Sequence, residues 1–131
     1  RKATAMNSPD TTINVPVVLI RINRLYHDFM GPLELYEATR GVWRMGPRRN
    51  GALFAFAVFK EVVKEVYRID SWRPAGTDVY ETRSDDEVMI EDRVEFSGRV
   101  APQSVRRRYV GKSVKRYFRR GNSNPITYIN C

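Results

Sequence analysis

Two stretches of the chain are apolar at nearly every position instead of every second one. VPVVLIRINRL (Val15–Leu25) is rich in β-branched residues and reads as a strand, with Pro16 near its start because proline cannot donate a ladder hydrogen bond. ALFAFAVF (Ala52–Phe59) is apolar on both faces and predicts a central strand. Between them GPLELYEATRG carries helix punctuation. Pro32 suits the first turn, Gly41 suits the position past the end, and Glu34, Glu37 and Arg40 are placed to favour the helix dipole. GVWRMG then reads as a brief strand and PRRNG as an exposed basic turn.

After Phe59, Lys60 and Glu61 are a candidate turn into VVKEVYRIDSW. Strict alternation places Val63, Glu65, Tyr67 and Ile69 on one face and Val62, Lys64, Val66 and Arg68 on the other. KEVVKEV alone also has helical spacing, but the β-branched and aromatic content favours a hairpin. Arg73–Asp92 is a long polar connection with turn signals at Pro-Ala-Gly and Ser-Asp-Asp. RVEFSGRV is a further strand. PQSVRRRYV and KSVKRYFRR follow as two short helical turns separated by Gly111, GNSNP as a turn, and ITYIN as a final strand. The order β, α, β, β–β, loop, β, α, β predicts an α+β fold: a small mixed curved sheet or partial β-barrel with short flanking helices, centred on Val17–Ile22 and Ala52–Phe59. With 131 residues the chain suits one domain over 15–131, preceded by a flexible segment, 1–14.

Charge changes the picture. The net charge is +8, and residues 101–131 hold 8 Lys/Arg and no Asp/Glu, while residues 51–100 are net acidic. One strongly positive surface favours a polyanionic partner, and nucleic acid fits best, ahead of a membrane surface or an acidic protein. No apolar run approaches a membrane span and no signal pattern opens the chain. The missing initiator Met is what a trimmed chain or a piece of a longer one, with other domains as partners, would show. A single cysteine, Cys131, makes a reducing cytoplasm the simplest setting.

The basic stretch RRRYVGKSVKRYFRR (Arg106–Arg120) contains GKS, the tail of a phosphate loop. That loop needs a first glycine at position 106, which is arginine, so Gly111 reads as a break between helical turns and Ser113 as a candidate N-cap. Val114, Tyr117 and Phe118 form an apolar stripe. Arg106, Arg107, Arg108, Lys112, Lys115, Arg116, Arg119 and Arg120 remain to grip phosphates. A second cluster, Arg40, Arg44, Arg48 and Arg49, brackets Trp43, which suits base stacking or a core position equally; Trp72 is a second stacking candidate at the start of the long loop. Asn122 and Asn124 in GNSNP are candidates to read a base edge.

Catalytic signals are weaker. His27 is the one histidine, so no histidine metal cluster forms. Asp85, Asp86, Glu87, Glu91 and Asp92 read as a solvated run before a magnesium site. Asp70, Glu81 and Glu95 near strand ends are the acids that a metal-dependent nuclease, such as one of a restriction or defence system, would use, but Glu95 lacks the neighbouring acid-x-Lys pairing. No cofactor is implied.

RGVWRMG, ALFAFAVFKEVVKEVYRI and RVEFSGRV, taken in this element order, resemble the PUA-like superfamily of PUA, ASCH, EVE and YTH domains. The resemblance implies a compact curved sheet that binds RNA or modified bases in a cleft. It carries no site residue onto this chain, and Arg73–Asp92 would be an insertion. The expected function is a non-catalytic nucleic-acid-binding module, with the nuclease as the alternative and a basic face for an acidic protein as a third reading.

Overall fold

A computed structural model describes residues 9–131. In chain order the elements are β1 (Val17–Arg21), α1 (Pro32–Arg40), β2 (Gly41–Trp43), β3 (Phe54–Phe59), β4 (Val62–Pro74), α2 (Asp85–Val88), β5 (Val94–Val100), α3 (Gln103–Tyr109) and β6 (Ile126–Ile129), with 3₁₀ turns at Pro47–Gly51 and Lys115–Tyr117. The strands form one curled six-stranded sheet in the order β2-β5-β4-β3-β1-β6, the mixed α+β half-barrel expected from the pattern. β1 and β3 pair in parallel, joined by the crossover through α1, and the other neighbours are antiparallel. No described helix is long and apolar enough to cross a membrane.

The two-sided apolar runs sit in the middle because both sheet faces are covered. Along β3, Phe54, Phe56 and Val58 face one core with Val17, Leu19, Val63, Val66, Tyr109 and Val114, under α3 and the Lys115–Tyr117 turn. Ala55 and Ala57 face the other, with Val18, Ile20, Tyr67 and Phe96, where Tyr36 and Leu35 of α1 and Trp43 pack. The small residues on that side leave room for the helix. Burying a side chain such as Phe56 completely is worth about 1.5–3 kcal/mol.

Three expectations need correction. First, the alternation across β4 is interrupted. The register shifts by one residue between Ala57/Val58 opposite Glu65/Val63, so Val63 and Val66 share a core while Tyr67 lies on the opposite side. A bulge adds one residue to a strand and inverts the alternation beyond it. Second, β4 runs on to Pro74, so Trp72 lies in a strand opposite Phe96 instead of opening a loop. A second register shift between Ile69 and Ser71 lets it continue. Third, residues 9–14 of the expected flexible lead-in are tied down, while residues 1–8 lie outside the described residues. Thr11 N–H donates to the Ser113 carbonyl, Ile13 N–H donates to the Tyr117 hydroxyl at 2.8 Å, and Ile13 is buried.

Candidate nucleic-acid interface

The basic C-terminal stretch is fixed from beneath by backbone pairing and apolar anchors. The β3–β4 turn places Lys60 and Glu61 at φ of 49° and 68°, the left-handed pair a tight hairpin needs. Its Glu61 carbonyl accepts Val114 N–H at 2.8 Å. Val63 exchanges backbone hydrogen bonds with Gly111 and Lys112. Gly111, at φ 83°, makes the left-handed exit from α3 that lets the chain turn back onto β4. GKS is therefore a docked turn, and Ser113 Oγ accepts Lys115 N–H at 3.3 Å, a local version of the expected cap. Val114 is fully buried, with Tyr117 and Phe118 packed beside it.

Beyond this anchor, Lys115, Arg116, Arg119 and Arg120 line a depression of about 730 Å³ together with Arg21, Phe118 and Asn122. Asp10 and Glu61 are its acids. A larger cleft of about 1000 Å³ lies next to it. Five arginines, Arg21, Arg24, Arg44, Arg83 and Arg93, line it alongside Trp43, Asn124 and Glu87. Arg21 belongs to both cavities, so the two form one basic track.

The way these arginines are held sets the electrostatics. Arg21 Nη2 donates to the Asn122 and Asn124 carbonyls at 2.8 and 2.6 Å, and its guanidinium lies 4.4 Å over the Phe118 ring. Arg83 Nη1 donates to the carbonyls of Glu37 and Gly41. Carbonyls and rings position a guanidinium without neutralising it. Arg24, Arg44 and Arg93 make no ion pair with a described residue. Glu87, the one carboxylate lining the cleft, is engaged by Ser84 in a capping box and lies 3.6 Å from Arg83 Nε. The Ser84 backbone and hydroxyl hydrogen bonds, with Arg83 assisting, hold it below its ordinary range.

Of the residues singled out from the sequence, the cleft gathers Trp43, Arg44 and Asn124, and its neighbour gathers Lys115, Arg116, Arg119, Arg120 and Asn122. Trp43 is half-buried and donates its indole N–H to the Thr39 carbonyl at 2.8 Å, so it is both a packing residue and part of the cleft wall. The Asn122 and Asn124 side-chain oxygens accept backbone N–H groups within the turn, which orders the loop instead of reading a base.

Other candidates lie elsewhere. Arg40 is corrected outright: it is 5% exposed, bonded to Asp78 and to the Phe96 carbonyl, and holds the interior together. Trp72 packs edge-on against Phe96 away from the cleft. Arg48 donates to the Cys131 carbonyl and stacks on Tyr128, and Arg49 donates to the Met45 and Gly46 carbonyls. Arg106 is paired with Glu65 at 2.8 Å, and Arg108 donates to Asn14. Arg107 is exposed on α3, and half-buried Lys112 uses its carbonyl to hold Val63.

The acids form no common centre. Glu95 is fully buried and accepts from Gly76 N–H, Asp78 N–H and the Tyr80 hydroxyl at 2.8–2.9 Å. Burial and that bond to Glu95 push the Tyr80 phenol up. Asp70 sits at the surface beside Arg99, and the Glu81 backbone N–H donates to Glu37. Among the described residues no group of three His, Cys, Asp or Glu side chains is placed to hold a metal ion. Sequence reasoning assigned Glu37 to the helix dipole and Glu95 to a nuclease-type acid set; it missed that these two buried carboxylates hold the loop of residues 75–83 and thereby set Arg83 in the cleft wall. It also missed Arg21, Arg24, Arg83 and Arg93. Comparison with protein-family models, curated proteins and solved structures finds no match to this chain.

Proposed function

We propose that this protein is a nucleic-acid-binding module of the cytoplasm, in which the Lys115–Arg120 ridge grips phosphates and the arginine cleft admits a nucleotide beside Trp43. The observation that carries this is Arg21, which joins the ridge depression to a tryptophan-walled cleft lined by five arginines and one engaged carboxylate. A volume of about 1000 Å³ is at the upper end of ordinary small-ligand sites. The track supplies both parts of recognition: cations that position the backbone and an aromatic surface on which a base stacks.

Fluorescence anisotropy with single-stranded and duplex oligonucleotides over a range of salt concentrations tests this reading. Replacing Arg116, Arg119 and Arg120 together with Ala weakens binding about equally across sequences. It also flattens the logarithmic salt slope by about 0.7 for each phosphate no longer neutralised on a single strand, or about 0.9 on duplex DNA. Trp43→Leu instead costs about 1–3 kcal/mol of binding with little change in slope. A triple variant that binds as wild type does at every salt concentration refutes the reading.

A further inference from the structure

We infer that the arginine cleft receives the terminal phosphate monoester of a nucleic-acid strand, while the Lys115–Arg120 ridge holds the internal phosphodiesters. The inference rests on the nucleic-acid reading above and adds what the cleft selects. The two halves of the track differ in how their cations are held. Ridge cations are exposed, as suits groups that slide along a repeating backbone. In the cleft, Arg21 and Arg83 are pinned by carbonyl oxygens, the Nε atoms of Arg21 and Arg93 are out of solvent and without a hydrogen-bond partner, and Arg83 Nε has only the Glu87 carboxylate at 3.6 Å. A buried donor without an acceptor is costly, about 1–3 kcal/mol or more when charged. Two such donors, on side chains that line one cavity with three further arginines and a single engaged carboxylate, match an occupant rich in acceptor oxygens.

Charge and geometry narrow the occupant. A phosphodiester carries one negative charge and two free oxygens, both aligned with a chain that must leave on two sides. A phosphate monoester carries about −1.5 to −2 charges at neutral pH and three acceptor oxygens. Guanidinium forks pair with such a group bidentately, and several arginines can share it. Elsewhere Arg40 is met by Asp78 and Arg106 by Glu65, while Arg49 is held singly by the Met45 and Gly46 carbonyls; among the described residues only the cleft gathers several arginines with so little counter-charge. The cleft arginines lack that internal counter-charge apart from Glu87, which sits 3.6 Å from Arg83. Arg21 makes the step from ridge to cleft short, so a strand lying on the ridge presents its end to the cleft.

The test compares one single-stranded 12-mer in three forms, with a 5′-phosphate, a 3′-phosphate or hydroxyls at both ends, together with a nucleoside monophosphate as competitor. One phosphorylated form is expected to bind about tenfold or more tightly than the hydroxyl form, a gain of about 1.4 kcal/mol. Arg93→Gln, at a side chain without an ion-pair partner among the described residues, removes that preference, so that phosphorylated and hydroxyl forms bind alike to the variant. Its thermal unfolding is measured alongside, and Arg24→Gln, at an exposed position, serves as the second variant. Equal, salt-sensitive binding of all three forms overturns the inference and leaves the nucleic-acid reading standing. Failure of every form to bind overturns both. A monophosphate that binds as tightly as the phosphorylated strand assigns the cleft to free nucleotides and also overturns the strand-end form.

Discussion

Replacing Glu95 with Ala should destabilise the protein by about 4 kcal/mol. Glu95 is fully buried on β5 and accepts three hydrogen bonds from the loop above it, from Gly76 N–H, Asp78 N–H and the Tyr80 hydroxyl. Its second oxygen also lies 3.9 Å from Arg40 Nη2. A hydrogen bond to a charged group is worth about 1.5–3 kcal/mol, so three would give an upper bound well above the expected figure. Water recovers part of that once the loop loosens and rehydrates its amides. Removing a buried, hydrogen-bonded charge costs about 3–5 kcal/mol, and that range sets the expectation; Arg40 keeps Asp78, so the loss falls chiefly on the three loop donors left without Glu95. With a urea slope of about 2 kcal/mol/M, the unfolding midpoint falls by about 2 M. Tryptophan fluorescence reports it directly, since Trp72 packs on Phe96 next to Glu95 and Trp43 lies on β2 beside the same strand. Glu95→Gln keeps the shape but turns an amide donor toward donors, and should lose roughly half as much. A midpoint for Glu95→Ala within about 0.5 M of wild type would show that the loop is not held from this carboxylate.

Glu37→Gln should lower stability at pH 7, with a deficit that shrinks as the medium is acidified. Burial opposes ionisation of Glu37, but the Thr82 hydroxyl and the Glu81 and Thr82 amides outweigh it and hold the carboxyl below its ordinary value of 4.5. A lowered folded-state pKa adds stability above the unfolded value, and that stability is lost as pH falls from 4.5 through the folded value. Chemical denaturation from pH 7 to pH 3 checks this, and a deficit that stays constant contradicts it. Gly98→Ala should lower the melting temperature by about 10 °C, because a Cβ there overlaps the Arg68 carbonyl oxygen on the adjacent strand and overpacking against rigid backbone costs about 1–3 kcal/mol. A melt within about 2 °C of wild type would mean the β4–β5 spacing gives way easily.

The backbone was legible where local chemistry and burial agree. Pro32, the helix dipole charges and Gly41 bracket α1, and the two-sided apolar runs became β1 and β3 at the middle of the sheet. The length of β4 was not legible, because the two register shifts that carry it to Pro74 depend on its neighbours, and Arg73-Pro74 reads locally as a turn. The site divided along the same line. A run of cations such as Lys115–Arg120 is visible in sequence because the charges are contiguous. Arg83 and Arg93 are isolated in a net-acidic segment, and Arg21 ends a buried strand, so their meeting across the fold leaves no local mark. Arg40 shows the converse. Its place in a basic cluster suggested surface, yet it is the last residue of a helix whose end is buried against Asp78 and Phe96.

The position of β6 bears on when the protein becomes competent. β3 and β4 meet across a two-residue turn, whereas β6 pairs with β1 by joining residue 17 to residue 129. The entropy of closing so long a loop makes that pairing an expected late event, after the hairpin and the parallel β1–β3 pairing have formed. Ser123–Ile126, one wall of the cleft, precedes and begins β6, and Arg21 is oriented by carbonyls of the same segment. A chain in which β6 has not yet paired therefore has its ridge charges before it has a shaped cavity, and the selection proposed for the cleft would follow that pairing.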